Sequence, residues 1–158
     1  MSSYVNFYLR INDNFAPIGS YSRSSSMYQA MSNVVPYEKI VALRPNQITE
    51  VIHNLEESAA RTRKAKENDQ AMCDKIMSTA NNSIEDKLSA IAEIESNFDE
   101  MDSYIEEVNF AADTLRVFLN MIDDFRYSDE CGFDNDYFHY IYAGIESYGR
   151  MEDVADEE

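Results

Sequence analysis

The sequence predicts an α+β fold: a small antiparallel sheet drawn from the N- and C-terminal segments, carrying a long antiparallel two-helix, coiled-coil-like hairpin. Three observations predict it. Residues Tyr4 to Ile11 alternate, with Val5, Phe7, Leu9 and Ile11 against Tyr4, Asn6, Tyr8 and Arg10, which is the pattern of a half-buried strand. Two heptad runs separated by a short polar break fill the middle of the chain. Residues Tyr137 to Ile145 then return to aromatic and β-branched composition, which suits a last strand better than its alternative, a short aromatic helix. The implied organisation is a base of residues 1–45 and 127–149, a hairpin over 46–126, and an acidic tail, 150–158, expected to be disordered.

In chain order, Asn12, Asp13 and Asn14 are turn formers, and Phe15 to Ser22 returns as a second strand that Pro17 assigns to an edge. Ser24 to Ser26 offer an N-cap for a short helix with Met27, Met31 and Val34 on one face, ended by Val35-Pro36. Tyr37 to Leu43 reads as a third strand. From Asn46 to about Ala80 a helix follows whose Ile48, Leu55, Thr62, Asp69 and Ile76 fall seven apart, with Val51, Ser58, Ala65 and Met72 three later. Its middle is nearly polar.

Asn81-Asn82-Ser83 breaks the pattern, and either Asn82 with Glu85 or Ser83 with Asp86 can cap the next helix. There Ile84, Ile91, Phe98, Ile105, Ala112 and Leu119 fall seven apart, and Ile94, Met101, Val108, Leu115 and Ile122 sit three further on, with no Gly or Pro inside. The expectation is one helix from Asn82 to Arg126, about 65 Å long at ~1.5 Å per residue. Its C-terminal end adds Phe118, Met121 and Phe125 to the stripe, so that end is expected to pack on the sheet. Leu88, near the turn, has little cover in a two-helix hairpin and suggests a homodimer contact.

Charge divides the chain. Residues 1–80 hold 9 Lys/Arg against 8 Asp/Glu, whereas residues 81–158 hold 4 against 22. Within an antiparallel hairpin, Arg61, Arg63, Lys64 and Lys66 come level with Asp99, Glu100 and Asp102, an ion-pair zone that answers the basic cluster locally and argues against direct nucleic-acid binding. Glu106, Glu107, Asp113, Asp123 and Asp124 have no such answer in the sequence. With Asp129, Glu130, Asp134 and Asp136 of the following loop, and with Tyr127, Tyr140 and Tyr148 as exposed aromatic contacts, they form the candidate partner-binding surface. The twelve acids of the long helix give about one charge per 5 Å, against about one per 1.7 Å in duplex DNA, so the surface suits a local decoy rather than a full duplex mimic.

Catalytic constellations are not legible. His53 and His139 lie in helix and strand patterns without a matching motif, and no phosphate loop, dinucleotide fingerprint or zinc spacing occurs. Cys73 and Cys131 form neither a disulfide framework nor a ligand spacing, which fits a reducing, cytoplasmic setting. The 129–136 loop lacks the spacing of an EF-hand, and the Ser20 to Ser26 cluster reads as capping rather than anion binding. No catalytic residue, metal or cofactor is therefore expected. No apolar run approaches a membrane span, and no signal segment is evident.

A small acidic chain with a compact α+β piece, a long helical hairpin and no enzyme motif resembles phage-encoded accessory proteins, particularly anti-CRISPR and DNA-mimic inhibitors. The stretches Tyr4-Val5-Asn6-Phe7-Tyr8-Leu9-Arg10-Ile11 and Gly19-Ser20-Tyr21-Ser22-Arg23-Ser24 also look like phage or prophage proteins. The resemblance covers build and charge and transfers no functional residue. It implies a non-enzymatic inhibitor, acting in the host cytoplasm, whose acidic surface binds a basic nucleic-acid-handling protein such as a CRISPR effector nuclease. The alternative from a different class is a coiled-coil structural or oligomerisation module without an inhibitory role.

Overall fold

A computed structural model describes residues 3–11, 13–37, 39–80, 82–127 and 140–146, the side chains of 125–127 excepted. The chain forms two compact units, Met1–Leu55 with Ala111–Glu158, and Glu56–Phe110. The expected acidic tail, residues 150–158, lies outside the described residues.

The first unit contains a four-stranded sheet, β1 (Tyr4–Ile11), β2 (Asn14–Ser22), β3 (Ile40–Ala42) and β4 (Ile141–Glu146), in the order β2-β1-β4-β3. Every paired ladder is antiparallel, so the fold is mixed α+β with its sheet drawn from both ends of the chain. Pro17 sits on the edge strand, where its missing N–H breaks no ladder, and the register steps from Phe7↔Gly19 to Tyr8↔Pro17, leaving Ile18 as the bulge. Gly19 matters at that step. A Cβ there would meet the Tyr21 ring at 3.2 Å, and that ring packs edge-on against Phe7 at 5.9 Å.

Two expectations about strands are corrected. β1 is not half-buried: Val5, Asn6, Phe7, Tyr8 and Leu9 are all buried, because β1 is an interior strand with packed groups on both faces. On one face Phe7 meets Phe118 at 4.9 Å. On the other, Tyr8 and Tyr142 cluster with Phe15, Ile40 and Ala42. Arg10 lies 5.6 Å from both the Phe15 and Tyr142 rings and donates to the Tyr142 hydroxyl at 3.0 Å. The third strand covers Ile40–Ala42 rather than Tyr37 to Leu43, with Tyr37 making an isolated bridge to Ile145. Helix is excluded over the described part of the last segment, since Ile141–Glu146 is β4, buried on both faces between β1 and β3.

Helix α1 (Ser26–Met31) starts at the Ser25 cap, whose hydroxyl accepts the Tyr28 N–H at 3.1 Å. It ends sooner than its apolar spacing suggests, because the Val34 and Val35 N–H groups both turn back to the Met31 carbonyl. Helix α2 (Pro45–Ser78) opens with Pro45 at its first position and Gln47 accepting the Arg44 N–H at 3.0 Å, half of a capping box. The C-terminal part of α4 (Phe98–Tyr127) contributes Leu115, Phe118 and Ile122 to this unit's core, as the widened stripe predicts.

The second unit holds the distal part of α2, helix α3 (Ile84–Glu95) and the start of α4. Three contacts define its antiparallel register: Ser58 Oγ to the Tyr104 hydroxyl at 2.6 Å, Lys66 Nζ to Asp102 Oδ1 at 2.8 Å, and Lys87 Nζ to the Met77 carbonyl at 3.3 Å. Ser83, rather than Asn82, caps α3 by accepting the Asp86 N–H.

The single helix expected from Asn82 to Arg126 is instead two, divided at Ser96-Asn97. Ser96 hydrogen-bonds the Glu93 carbonyl at 2.6 Å, and the Asn97 N–H reaches Ile94 three residues back. Ser and Asn compete in this way with the helix ladder. The tightening has a use. A straight helix drifts about 20° per heptad, and each residue wound at about three per turn adds about 20° in the opposite sense. The strict heptad from Ile91 to Ile122 therefore stays half-buried or buried across the break.

Helix α2 has no such break, and its seam precesses. Ala65 and Met72, expected inward, are exposed, while Lys66 and Cys73, one residue later, turn in. The inward residues Thr62, Lys66 and Asp69 thus oppose Phe98, Met101 and Ile105, none of which is fully buried.

Candidate functional site: an acidic and apolar helix face

The described acids of the predicted surface, Glu106, Glu107, Asp113, Asp123 and Asp124, are all exposed on α4. Helix geometry sorts them. Glu106, Asp113 and Asp124, separated by 7 and 11 residues, fall within about 20° of one another, while Glu107 and Asp123 flank that line by about 100° on opposite sides. Two side chains that sequence reasoning missed complete the face. Phe110 and Val117 are 68% and 55% exposed and lie on the same face, about 40° and 20° round the helix from Glu106. Their signal was legible: two large apolar residues seven apart, off the heptad seam.

Asp113 is not unanswered, as its sequence context suggested. Arg116, one turn on, donates to it at 3.0 Å in an exposed pair. Tyr140 is also corrected: it is 4% exposed, immediately before β4, and its carbonyl accepts the Arg10 N–H at 2.7 Å, so it belongs to the sheet and offers no outward contact. Asp129, Glu130, Asp134, Asp136 and Tyr148, and the side chain of Tyr127, lie outside the described residues.

The expected ion-pair zone of the hairpin reduces to Lys66 with Asp102, strengthened by the Lys66 ammonium lying 5.4 Å from the centre of the Phe98 ring. These residues lie beside a groove of about 410 Å³ that Arg63, Glu67, Gln70 and Glu106 also line. Among the described residues no group of three His, Cys, Asp or Glu side chains could hold a metal ion. His53 is exposed on α2, and His139 lies outside the described residues. Burial, then the Glu95, Asp74 and Asp69 carboxylates, push the Cys73 thiol up, away from the range of an activated nucleophile. The serine cluster does cap: Ser25 receives Tyr28 and donates to the Ser22 carbonyl at 2.6 Å.

No family model matches the chain, and neither a curated protein nor a solved structure matches it. Among the described residues, no helix is long and apolar enough to cross a membrane.

Proposed function

We propose that the chain is a non-enzymatic, phage-type inhibitor that acts in the cytoplasm by presenting acidic side chains to a basic, nucleic-acid-handling protein, such as a CRISPR effector nuclease. The observation that carries the reading is the outer face of α4, where exposed Glu106, Asp113 and Asp124 alternate with exposed Phe110 and Val117. Carboxylates alone would steer a cationic partner without fixing a register. Interleaved apolar side chains add desolvated contact, the part of an interface that slows dissociation. The surplus of 22 acids over 4 bases in residues 81–158 supplies the long-range attraction and repels nucleic acid itself.

The test is capture by the immobilised chain at 0.1 M and at 1 M salt, where the Debye length falls from about 10 Å to about 3 Å. A nucleic-acid enzyme should be retained at low salt, be released at high salt, and lose nucleic-acid binding when the free chain is added. Changing Glu106, Asp113 and Asp124 to Lys should abolish capture, whereas the same charge change at Glu85, Asp86 and Glu95 should leave it. Equal loss from both triple variants would reduce the effect to net charge and sink the proposal.

A further inference from the structure

We propose that the hairpin unit pairs with a second copy of this chain, forming an antiparallel four-helix bundle in which α2 of each copy lies on α4 of the other. This inference is independent of the inhibitory reading, which uses the outer face of α4.

It begins with a seam that one hairpin leaves incomplete. Thr62, Lys66 and Asp69 are a poor cover for Phe98, Met101 and Ile105, all only half-buried. On one side of this seam a groove of about 380 Å³ runs between the helices, lined by Thr62, Asn97, Glu100, Met101 and Tyr104. The Ser58–Tyr104 bond places Ser58 on the same side. Arg61, Ala65, Asn68 and Met72 continue from Ser58 at spacings of three and four, so they share its side of α2. Ala65 is exposed, Met72 is 50% exposed and Tyr104 39% exposed, so the side has apolar and small residues at its centre.

Charge then names the occupant. The α2 border carries Arg61 and Asn68, seven apart, and the border on α3 and α4 carries Glu93 and Glu100, also seven apart. Neither Arg61 nor Glu100 forms a salt bridge among the described residues, although both are charged and exposed. The register contacts put Arg61 level with residues 101 to 107, so Arg61 and Glu100 lie within about one helical turn, ~6 Å, of the same height along the hairpin. A two-fold axis parallel to the helices therefore sets Arg61 against Glu100 of the partner subunit, and Asn68 against Glu93 of the partner subunit, each contact occurring twice. A two-fold across the helices would instead lay α4 on α4, with carboxylates facing carboxylates. The surface is thus self-complementary in one arrangement and self-repelling in the other.

Size agrees with this. A face about 34 Å long and two helices, about 20 Å, wide offers roughly 700 Å², close to the ~800 Å² per partner of a standard interface.

Sedimentation equilibrium of the full chain at 0.15 M salt tests it. A reversible dimer of twice the 18.2 kDa chain mass is expected, with Arg61→Glu and Glu100→Arg each weakening association about tenfold or more, because each reverses two contacts. The double variant should recover to within about threefold of the parent. Circular dichroism of each variant separates lost pairing from lost helix. A strict monomer at 200 µM (roughly 200-fold above a micromolar constant), a dimer indifferent to Arg61→Glu, or a double variant no better than the singles would each overturn the proposal.

Discussion

The sheet unit buries Phe7, Tyr8, Met27, Leu43, Leu115 and Ile122 to 1% exposure or less, whereas the described residues of the hairpin unit bury only Ala59, Cys73 and Val108. Both units are built from strongly periodic sequence, so periodicity does not separate them. Partners do. In the sheet unit each apolar row meets another: Phe7 finds Phe118 and Tyr21, and Tyr8 packs with Phe15 and Tyr142. Even the buried polar Asn6 is satisfied, accepting from Ser20 at 2.7 Å and donating to Glu146 at 3.5 Å. In the hairpin unit the apolar row of α3 and α4 meets Thr62, Lys66 and Asp69 instead. A regular pattern therefore fixes an element, while stability depends on what the neighbouring element presents.

The sharpest way to break this contrast is Phe7→Ala. Removing a fully buried ring at the junction of three elements should cost about 3–5 kcal/mol, read as a shift of the denaturant midpoint at constant slope. A loss below about 1 kcal/mol would show that the sheet unit is not the tightly packed one.

Next in size is an alkaline effect. Burial, and then Glu146, hold the Tyr8 phenol above the ordinary tyrosine range. A phenol raised on folding binds its proton more tightly in the native state, so stability is whole below the unfolded value of about 10 and falls as pH climbs past it. One such group contributes a slope of up to about 1.4 kcal/mol per pH unit. Denaturant titrations between neutral pH and pH 11 should show that fall, and Tyr8→Phe should make it shallower.

Thr62→Leu sharpens the comparison from the other side. An apolar residue opposite Met101 should stabilise the hairpin by about 1 kcal/mol, seen as slower amide exchange in α2 and α3 with little change in β1 and β4. If exchange slowed equally everywhere, the two units would open together. The smallest effect belongs to Arg116→Ala. The exposed Arg116–Asp113 pair should contribute less than about 0.5 kcal/mol, and the loss should vanish at 1 M salt.

Much of the fold was legible. Alternation marked β1, Pro17 marked an edge, and the heptad residues from Ile91 to Ile122 face inward as spaced. The candidate site was legible only as charge. The charge pattern marks the acids on α4, but Phe110 and Val117 stand off the heptad seam and carry no charge, and Tyr140, expected at the surface, is buried because aromatic content does not reveal which strand becomes interior.

Local chemistry settled what each segment became. Turn formers, caps, heptads and β-branched runs act over a few residues, so the sequence specified a strand at Tyr4–Ile11, a helix cap at Asn82 or Ser83 and an acidic C-terminal half without help from distant groups. Long-range packing settled the rest. Insertion of β4 between β1 and β3 made a half-buried pattern an interior strand, and the pitch of real helices, 3.6 rather than 3.5 residues per turn, turned Lys66 and Cys73 inward in place of Ala65 and Met72. Burial is a property of what lies opposite, and no run of residues carries that information alone.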